Sequence, residues 1–429
     1  MFHERPAGDS PVADVAVECL SAGIEAARPA RAVDRHCSLD GGTLRIRDAE
    51  YDLSRFESVL VLGGGKAADG LAAALADRLD GGVDGAVVTD ERVADPDAVT
   101  VHEGEHPTPG AGSVAGTEAV LERTEAAGEE TLVLAAVTGG GSALLCAPAS
   151  GLAAADVAAV TEELLAAGAP IAALNTVRRA CSEIKGGGLA AAAAPATVAG
   201  VLVSDVVGDD PAVVASGPTV PRESDPGAAL SVLDEYDVGA AAVRKWLADA
   251  SPEPAPDVDV DVHVVASGRD AVDAAGEAAT ERGYTPCLLS AAVEGEASEA
   301  GRFHAAVARE VAATGSPVDP PAVLISGGET TVTVDGDGTG GPNLEFALGA
   351  ALDLPASALV GAVDTDGSDG NTDAAGAVLG PVDDAAAARA ALSNNDSYRF
   401  LGGRDALLRS GPTGTNVNDL RVIVVAKRF

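Results

Sequence analysis

The 429-residue chain exceeds the size at which single hydrophobic cores usually stop growing, so two domains are expected. With 47% hydrophobic but only 3% aromatic residues, its interior must be built from Ala, Val and Leu, which suits α/β layering. A formal charge of −38, with lysine confined to Lys66, Lys185, Lys245 and Lys427, excludes nucleic acid and anionic membranes as partners, because both bind clustered cations.

Acid excess with little lysine resembles the surfaces of proteins from salt-loving organisms, where salt screens self-repulsion. No apolar run approaches the ~20 residues that span a bilayer. The start, MFHERPAGDS, lacks the basic and apolar regions of a signal peptide, so a cytoplasmic location is expected. A homodimer is compatible with the sequence. Cys19, Cys37, Cys146, Cys181 and Cys287 are odd in number and form no C-x-x-C pair, so they read as small core residues rather than a disulfide framework or zinc site.

In chain order, ESVLVLGGG leads into a predicted helix over Lys66–Leu79, and GAVVTD follows as a strand. TLVLAAVTGGGS leads into a helix opening near Ser142, followed by GVLVSDVVGDD and by VHVVASGRD with a helix over Ala271–Arg282. AVLISGGE and ALVGAVDTDG close the series. Apolar strands ending in glycine or aspartate and alternating with helices predict largely parallel sheets covered on both faces, with ligands at the strands' C-terminal ends. The Pro-rich, acidic stretch ASPEPAPD (250–257) reads as a linker, dividing the chain into 1–252 and 258–429. TTVTVDGDGTGG (330–341) reads as an antiparallel strand and turn, which makes the second sheet mixed.

The loop VLVLGGGKAADG (59–70) admits three readings. Gly63, Gly65 and Ala68 fit the relaxed dinucleotide pattern G-x-G-x-x-G/A, with Asp90 available for a ribose. A Walker A loop is excluded, because Ala67 stands where a hydroxyl must follow the lysine. The third reading is a plain strand-to-helix turn. Lys66 favours an anionic, transferring phosphate, since a dinucleotide pyrophosphate is satisfied by backbone N–H groups alone.

TGGGSALL (138–145) places Gly139, Gly140 and Gly141 before Ser142, read as a helix N-cap at which backbone N–H groups converge on an anion. NTVRRACSEIKGGG (175–188) supplies Asn175, Arg178, Arg179, Ser182 and Lys185. Arg178, Ser182 and Lys185 share a face if the segment is helical, and such a face could clamp a carboxylate or a triphosphate. Asp205, Asp209 and Asp210 end one strand, and Asp364, Asp366, Asp369 and Asp373 follow another. The second group fails the calcium-loop register, with Asp369 where glycine belongs and Ala375 where glutamate belongs. Carboxylates at sheet ends suit Mg²⁺ binding or proton abstraction from a hydroxyl. His106 in HPTPG reads as a loop residue rather than a base.

Taken together, GGGKAA (63–68), HPTPG, TGGGSALL, LNTVRRACSEIKGGGLA, VSDVVGDDPAVVASGPT, LISGGETTV, GGPNLEFAL, DTDGSDGNTDAAGA, NNDSY and GPTGTNVNDL run in order over nearly the whole chain. This series resembles the glycerate 2-kinase family whose C-terminal part is the MOFRL domain, some members of which are labelled hydroxypyruvate reductase. The resemblance implies ATP- and Mg²⁺-dependent phosphorylation of D-glycerate at O2. It also implies two α/β domains, the first Rossmann-like and the second a MOFRL domain with a mixed sheet, with the active site in the interdomain cleft. By the same resemblance Lys66, flanked by Gly64 and Gly65, contacts the transferring phosphate, and Gly139, Gly140, Gly141 and Ser142 form an anion-binding turn. Asn175, Arg178, Lys185, Gly327, Gly328, Glu329 and Asn343 fall at the substrate and ATP site. Gly411, Thr413, Gly414, Thr415 and Asn416 form another phosphate-contacting loop. Asp205 and Asp209 are the expected metal ligands, and Asp366 or Asp369 the proton acceptor.

One departure from the family pattern stands out. GGRNQE is here GGPNLE, with Pro342 for an arginine and Leu344 for a glutamine. Arg178, Arg179 or Arg399 would have to replace that cation. An NAD(P)H-dependent hydroxypyruvate reductase, and an anion-binding protein without turnover, are the rival readings.

Overall fold

A computed structural model describes residues 1–3, 10–80 and 82–427. The start read above as lacking a leader lies in large part outside the described residues. The chain forms two compact units, Pro29–Val265 and a second made of Met1–Arg28 with Ala266–Phe429. This differs from a single cut within 250–257 at both ends. Helix Pro11–Ala27 belongs with the C-terminal part, and strand Val260–Ala266, which follows the Pro-rich stretch, adds to the first sheet. The linker composition marks an exposed connection inside a unit rather than the boundary between two.

In the unit Pro29–Val265, six strands are ordered Thr100–Glu103, Asp84–Thr89, Ser58–Gly64, Thr131–Thr138, Thr197–Val203 and Val260–Ala266. Numbered along the chain this is the 3-2-1-4-5-6 order of doubly wound nucleotide-binding sheets, and the first five strands run parallel. Thr131–Thr138 is buried along its whole length, as a central parallel strand covered on both faces must be. The order reverses between Ser58–Gly64 and Thr131–Thr138, which places the GGGK loop and the TGGGS turn side by side at the switch point. Leu62, Val88, Val137, Leu144 and Leu189 fill the core around them. A separate helical cluster is built on Val160, Leu164, Leu174, Val177, Leu233 and Leu247. Three short antiparallel strands, Cys37–Asp40, Thr43–Ile46 and Ala49–Asp52, form a small sheet of their own.

In the other unit, the strands are ordered Thr285–Glu296, Ala322–Thr331, Asp419–Val425, Ala358–Asp364, Gly376–Leu379 and Leu407–Leu408. The first pair is parallel and the remaining pairs antiparallel, so the sheet is mixed. The reason is not the expected one. Strand pairing stops at Thr331, and Val332–Gly341 forms no strand; the antiparallel partner of Ala322–Thr331 is the distant segment Asp419–Val425. Helix Pro11–Ala27 crosses close to helix Gly268–Glu281, where Gly23 is required: a Cβ there would stand 2.7 Å from the Ala271 carbonyl oxygen.

Two local expectations also change. The helix after TGGGS has only four residues, Gly141–Leu144, with Gly140 rather than Ser142 at its N-cap. Helix Ile171–Ala180 ends before Ser182, so Arg178, Ser182 and Lys185 do not share a helical face; the chain turns to bring Lys185 back towards Arg178. All five cysteines are free, four of them buried.

Candidate functional site

Within the unit Pro29–Val265, the expected polar residues gather around the Gly139–Ser142 turn. Gly140 adopts φ +77°, a left-handed conformation suited to glycine, and donates its N–H to Asp205 Oδ2 at 3.2 Å. A Cβ on Gly140 would lie 3.0 Å from Lys66 Cγ and 3.3 Å from His106 Cδ2, so both side chains lie against the turn. A Cβ on Gly139 would strike Asp205 Oδ2. Gly141 and Ser142 open the short helix, and the first N–H groups of a helix have no acceptor within it. Burial raises the pKa of Asp205, against the opposing effects of backbone hydrogen bonds, the Gly140 N–H among them, and of the Lys66 charge.

The GGGK loop is built differently from a dinucleotide cradle. Gly65 N–H donates to Val88 O (2.9 Å), Lys66 N–H to Gly139 O (2.8 Å) and Ala67 N–H to Thr138 Oγ1 (3.0 Å). Those donors tie the loop to its neighbours, so Gly64 and Gly65 supply close packing and the charge comes from the Lys66 side chain. Asp69, fully buried in the first turn of the next helix, accepts N–H bonds from Val93 (2.7 Å) and Ala94 (2.6 Å). A carboxylate there opposes a pyrophosphate at that helix end.

Behind the turn, Ser142 Oγ bonds to Asn175 Oδ1 (3.3 Å) and Ser216 Oγ (2.8 Å), and accepts from Arg178 Nη1 (3.3 Å). Arg178 Nη2 donates to Pro107 O (3.2 Å), and Lys185 Nζ to Leu145 O (2.6 Å). Arg178 is 7% and Lys185 9% exposed, and neither has a carboxylate partner among the described residues. Burial brings the Arg178 pKa down to about 10 and that of Lys185 to about 8. The gap among Ser142, Cys146, Arg178 and Lys185 is about 10 Å³, room for at most one water, so these cations act on the turn through their field. Two buried cations without a counter-charge inside a chain of charge −38 are a pocket of positive potential.

Ser216 is a functional candidate that the sequence does not single out, and His106, expected as a loop residue, lies in a bend against the turn. Ser216 follows Ala215, and both are non-glycine residues in the left-handed region (φ +64° and +50°). Backbone strain of about 1–3 kcal/mol per such residue persists where surrounding contacts impose it, here the bonds to Ser142 and Asn175. The GPT that follows Ser216 signals a turn but not its partners, and HPTPG gives no hint that His106 lies against Gly140.

In the unit containing Ala266–Phe429, the expected residues have other duties. Asp369 is fully buried; its Oδ1 accepts the Asn343 N–H (2.9 Å) and its Oδ2 the Leu344 N–H (2.9 Å). Both donors lie in the first turn of helix Pro342–Ala351, so Asp369 caps that helix across space rather than offering a lone pair to a substrate. Burial raises its pKa to about 7, with the Asp419 charge pushing the same way. Asn343 Nδ2 is taken up by Asp369 Oδ1 (3.2 Å) and Asp419 Oδ1 (2.6 Å). Asp419 pairs with Arg421, which is 1% exposed and lies over the Phe346 ring at 5.0 Å.

Gly327 and Gly328 are strand residues, and a Cβ on Gly328 would collide with the Val293 backbone; Glu329 is exposed. In the loop from Gly411, Thr413 Oγ1 donates to Thr365 O (2.6 Å), Thr415 Oγ1 to Ala27 O (2.7 Å), and Asn416 Oδ1 accepts from Asn418 N–H (3.0 Å). Gly411 (φ +66°) and Gly414 (φ +77°) provide its reversals. These hydroxyls hold the loop instead of facing a ligand. Asp366 differs from Asp369: it is half-buried, and its Oδ1 accepts Ser368 N–H at 2.9 Å.

Pro342 occupies the first turn of its helix, where a missing N–H costs nothing, and Leu344 is buried in the core. Arg399 is largely exposed beside Asp396. Among the described residues no group of three or more His, Cys, Asp or Glu side chains could hold a metal. Asp209 sits in a turn (φ +55°), its N–H bonded to Val206 O (3.0 Å).

Residues 15–248 match the family described as a domain of unknown function, DUF4147, and residues 322–419 match the MOFRL family. An Agrobacterium vitis protein provisionally named hydroxypyruvate reductase is 42% identical over 383 residues, 85% of this chain and 99% of the relative. The D-glycerate 2-kinase of Thermotoga maritima is 36% identical over 337 residues, 76% of this chain and 79% of the relative. A crystal structure of glycerate kinase from Thermotoga maritima superposes with a TM-score of 0.82 at 34% identity, covering 96% of this chain and 99% of that one. With both domain families present in order, and with sequence and fold similarity extending over most of its length, the chain belongs to the DUF4147–MOFRL family of glycerate kinases.

Proposed function

We propose that the protein is an ATP-dependent glycerate 2-kinase, transferring a phosphoryl group to O2 of D-glycerate to give 2-phosphoglycerate. The observation that carries this reading is the pair of buried cations without counter-charge, Arg178 and Lys185, behind a glycine turn that Lys66 flanks at the switch point of the sheet. The dinucleotide alternative loses its footing because the loop's N–H groups are bonded within the protein.

In the reaction the glycerate O2 attacks the terminal phosphorus of ATP, the bond to the ADP oxygen breaks, and the O2 proton passes to a carboxylate. Lys66 neutralises the phosphoryl oxygens as a point charge. The first N–H groups of Gly141 and Ser142 accept an anion, with Arg178 and Lys185 raising the potential there. Asp366 takes the proton; Asp369 acts as a positioning residue through helix Pro342–Ala351. Mg²⁺, when bound, would neutralise phosphate oxygens. Asp205 is the residue that would hold it, with Asp209 as a second candidate, because Mg²⁺ on a nucleotide needs only one or two carboxylates from the protein.

Phosphorus NMR on a reaction with D-glycerate and ATP–Mg²⁺, beside a second with hydroxypyruvate and NADH, tests the assignment. A 2-phosphoglycerate resonance in the first supports it; NADH loss in the second with no phosphate ester in the first refutes it. Among the described residues no helix is long and apolar enough to cross a membrane. With the charge of −38, this supports a cytoplasmic location and adaptation to concentrated salt. The thermal midpoint should rise between dilute and molar KCl, and a fall would count against the adaptation.

A further inference from the structure

A pocket of about 710 Å³ lies wholly within the unit Pro29–Val265, lined among others by Arg179, Lys185, Arg222, Trp246, Glu183 and Asp249. It is distinct from the turn, and nothing in the reaction described above uses most of its lining. Its size falls in the range of small-molecule sites, roughly 300–1,000 Å³.

Its chemistry is mixed in a particular way. Arg179 makes a long contact, 3.5 Å to Thr176 Oγ1, and has no carboxylate partner among the described residues. Burial, and then the nearby Arg222 charge, lower its pKa, so two guanidinium groups face the same space. Arg222 pairs with an exposed carboxylate, Asp210, at 3.3 Å. Trp246, the one tryptophan of the chain, is half-buried, with its Nε1–H donated to Ser150 O at 3.0 Å. That bond fixes the indole plane. Carboxylates complete the wall. A simple anion would be repelled by Glu183 and Asp249; a purely cationic ligand would be repelled by the arginines. A molecule with phosphates at one end, hydroxyls in the middle and a flat ring at the other matches all three groups: guanidinium to phosphate, carboxylate to ribose hydroxyl, indole to base. Lys185 and Ser182 line both this pocket and the water-sized gap beside Ser142 and Arg178, so the pocket and the turn share one wall.

The geometry points to this pocket as the seat of the base and ribose of the ATP used in the reaction, with Trp246 stacking on the adenine and Arg179 and Arg222 holding the phosphate end. This inference rests on the kinase reading. Trp246 is also its reporter, since all tryptophan emission comes from the pocket. Titrating the full-length protein with ADP should quench that emission to saturation, whereas inorganic tripolyphosphate, lacking the ring, should leave it unmoved. In the kinase assay Trp246→Ala should raise the KM for ATP about tenfold, the loss of one base–aromatic stack, leave the KM for glycerate in place, and be largely rescued by Trp246→Phe. Turnover with wild-type KM for ATP in Trp246→Ala, and emission indifferent to ADP, would overturn the inference and leave the kinase reading intact. Absence of phosphoryl transfer in the wild type would instead remove that reading, and an ADP titration without quenching would then also overturn the pocket assignment.

Discussion

The two units hold polar clusters of similar depth and opposite character. Around Asp369 the buried charges are of both signs and meet within the fold: its carboxylate takes two helix N–H groups and Asp419 pairs with Arg421, although Arg421 Nε and Nη1 and Asn343 Oδ1 are left without a partner among the described residues. Around the Gly139–Ser142 turn the sum does not close. Arg178 and Lys185 are nearly as buried and meet only neutral oxygens. Leaving a charge uncompensated costs several kcal/mol, so such a cluster persists where something outside the chain completes it. A closed cluster makes structure; an open one awaits a ligand.

Substitutions can break that contrast. Lys66→Ala removes charge from the open cluster without touching the core, so kcat should fall about 10²–10³-fold with the thermal midpoint nearly constant, as steady-state kinetics and calorimetry would register. An equal loss of stability would make the lysine structural.

Lys185→Met should act in opposite directions on binding and folding. It weakens tripolyphosphate affinity but removes the cost of burying a charge, so the ligand-free protein should gain stability, less what is lost with the bond to Leu145 O. The wild type carries the matching pH signature. Folded Lys185 releases its proton near 8 and the unfolded residue near 10.5, so between those values the unfolded chain binds more protons and stability climbs with pH. Below about 8 the penalty is present in full. Denaturant titrations at stepped pH should show the climb, and Lys185→Met should flatten it.

The closed cluster predicts the reverse. Asp369→Ala should lower stability by about 2 kcal/mol by uncapping helix Pro342–Ala351, whereas Asp366→Ala should lower kcat with little change in the midpoint. A stable but inactive Asp369→Ala would return that residue to the chemistry. The smallest effect is expected from Gly140→Ala, about 1 kcal/mol for a left-handed φ, plus a displaced Lys66 side chain that raises the KM for ATP.

The same contrast separates what could be read from the sequence from what could not. The parallel strands of the first sheet, the two glycine turns at strand ends and the isolated lysines follow from local signals: apolar runs, glycines at strand ends, and a cation where cations are scarce. Asp369 looked like a partner of Asp366 because the two share one loop, yet Asp369 reaches helix Pro342–Ala351, more than twenty residues earlier in the chain, and no local pattern encodes that reach. Ser216 was invisible for the same reason, and His106 was legible as a loop residue but not as a neighbour of Gly140, each meeting the turn from a distant segment. Pro342 and Leu344 read as losses from an anion site. In the fold one starts a helix and the other fills the core, while Arg178 stands near the turn by an independent route.

The central claim is that the open cluster is completed by an anion. Calorimetric titration with tripolyphosphate near pH 8.5, in two buffers of different ionisation enthalpy, tests it most directly, because an anion at the turn must raise the proton affinity of Lys185 through its field. The account predicts net proton uptake on binding in the wild type and its disappearance in Lys185→Met. Binding of equal strength in both proteins, without proton uptake in either, would contradict it.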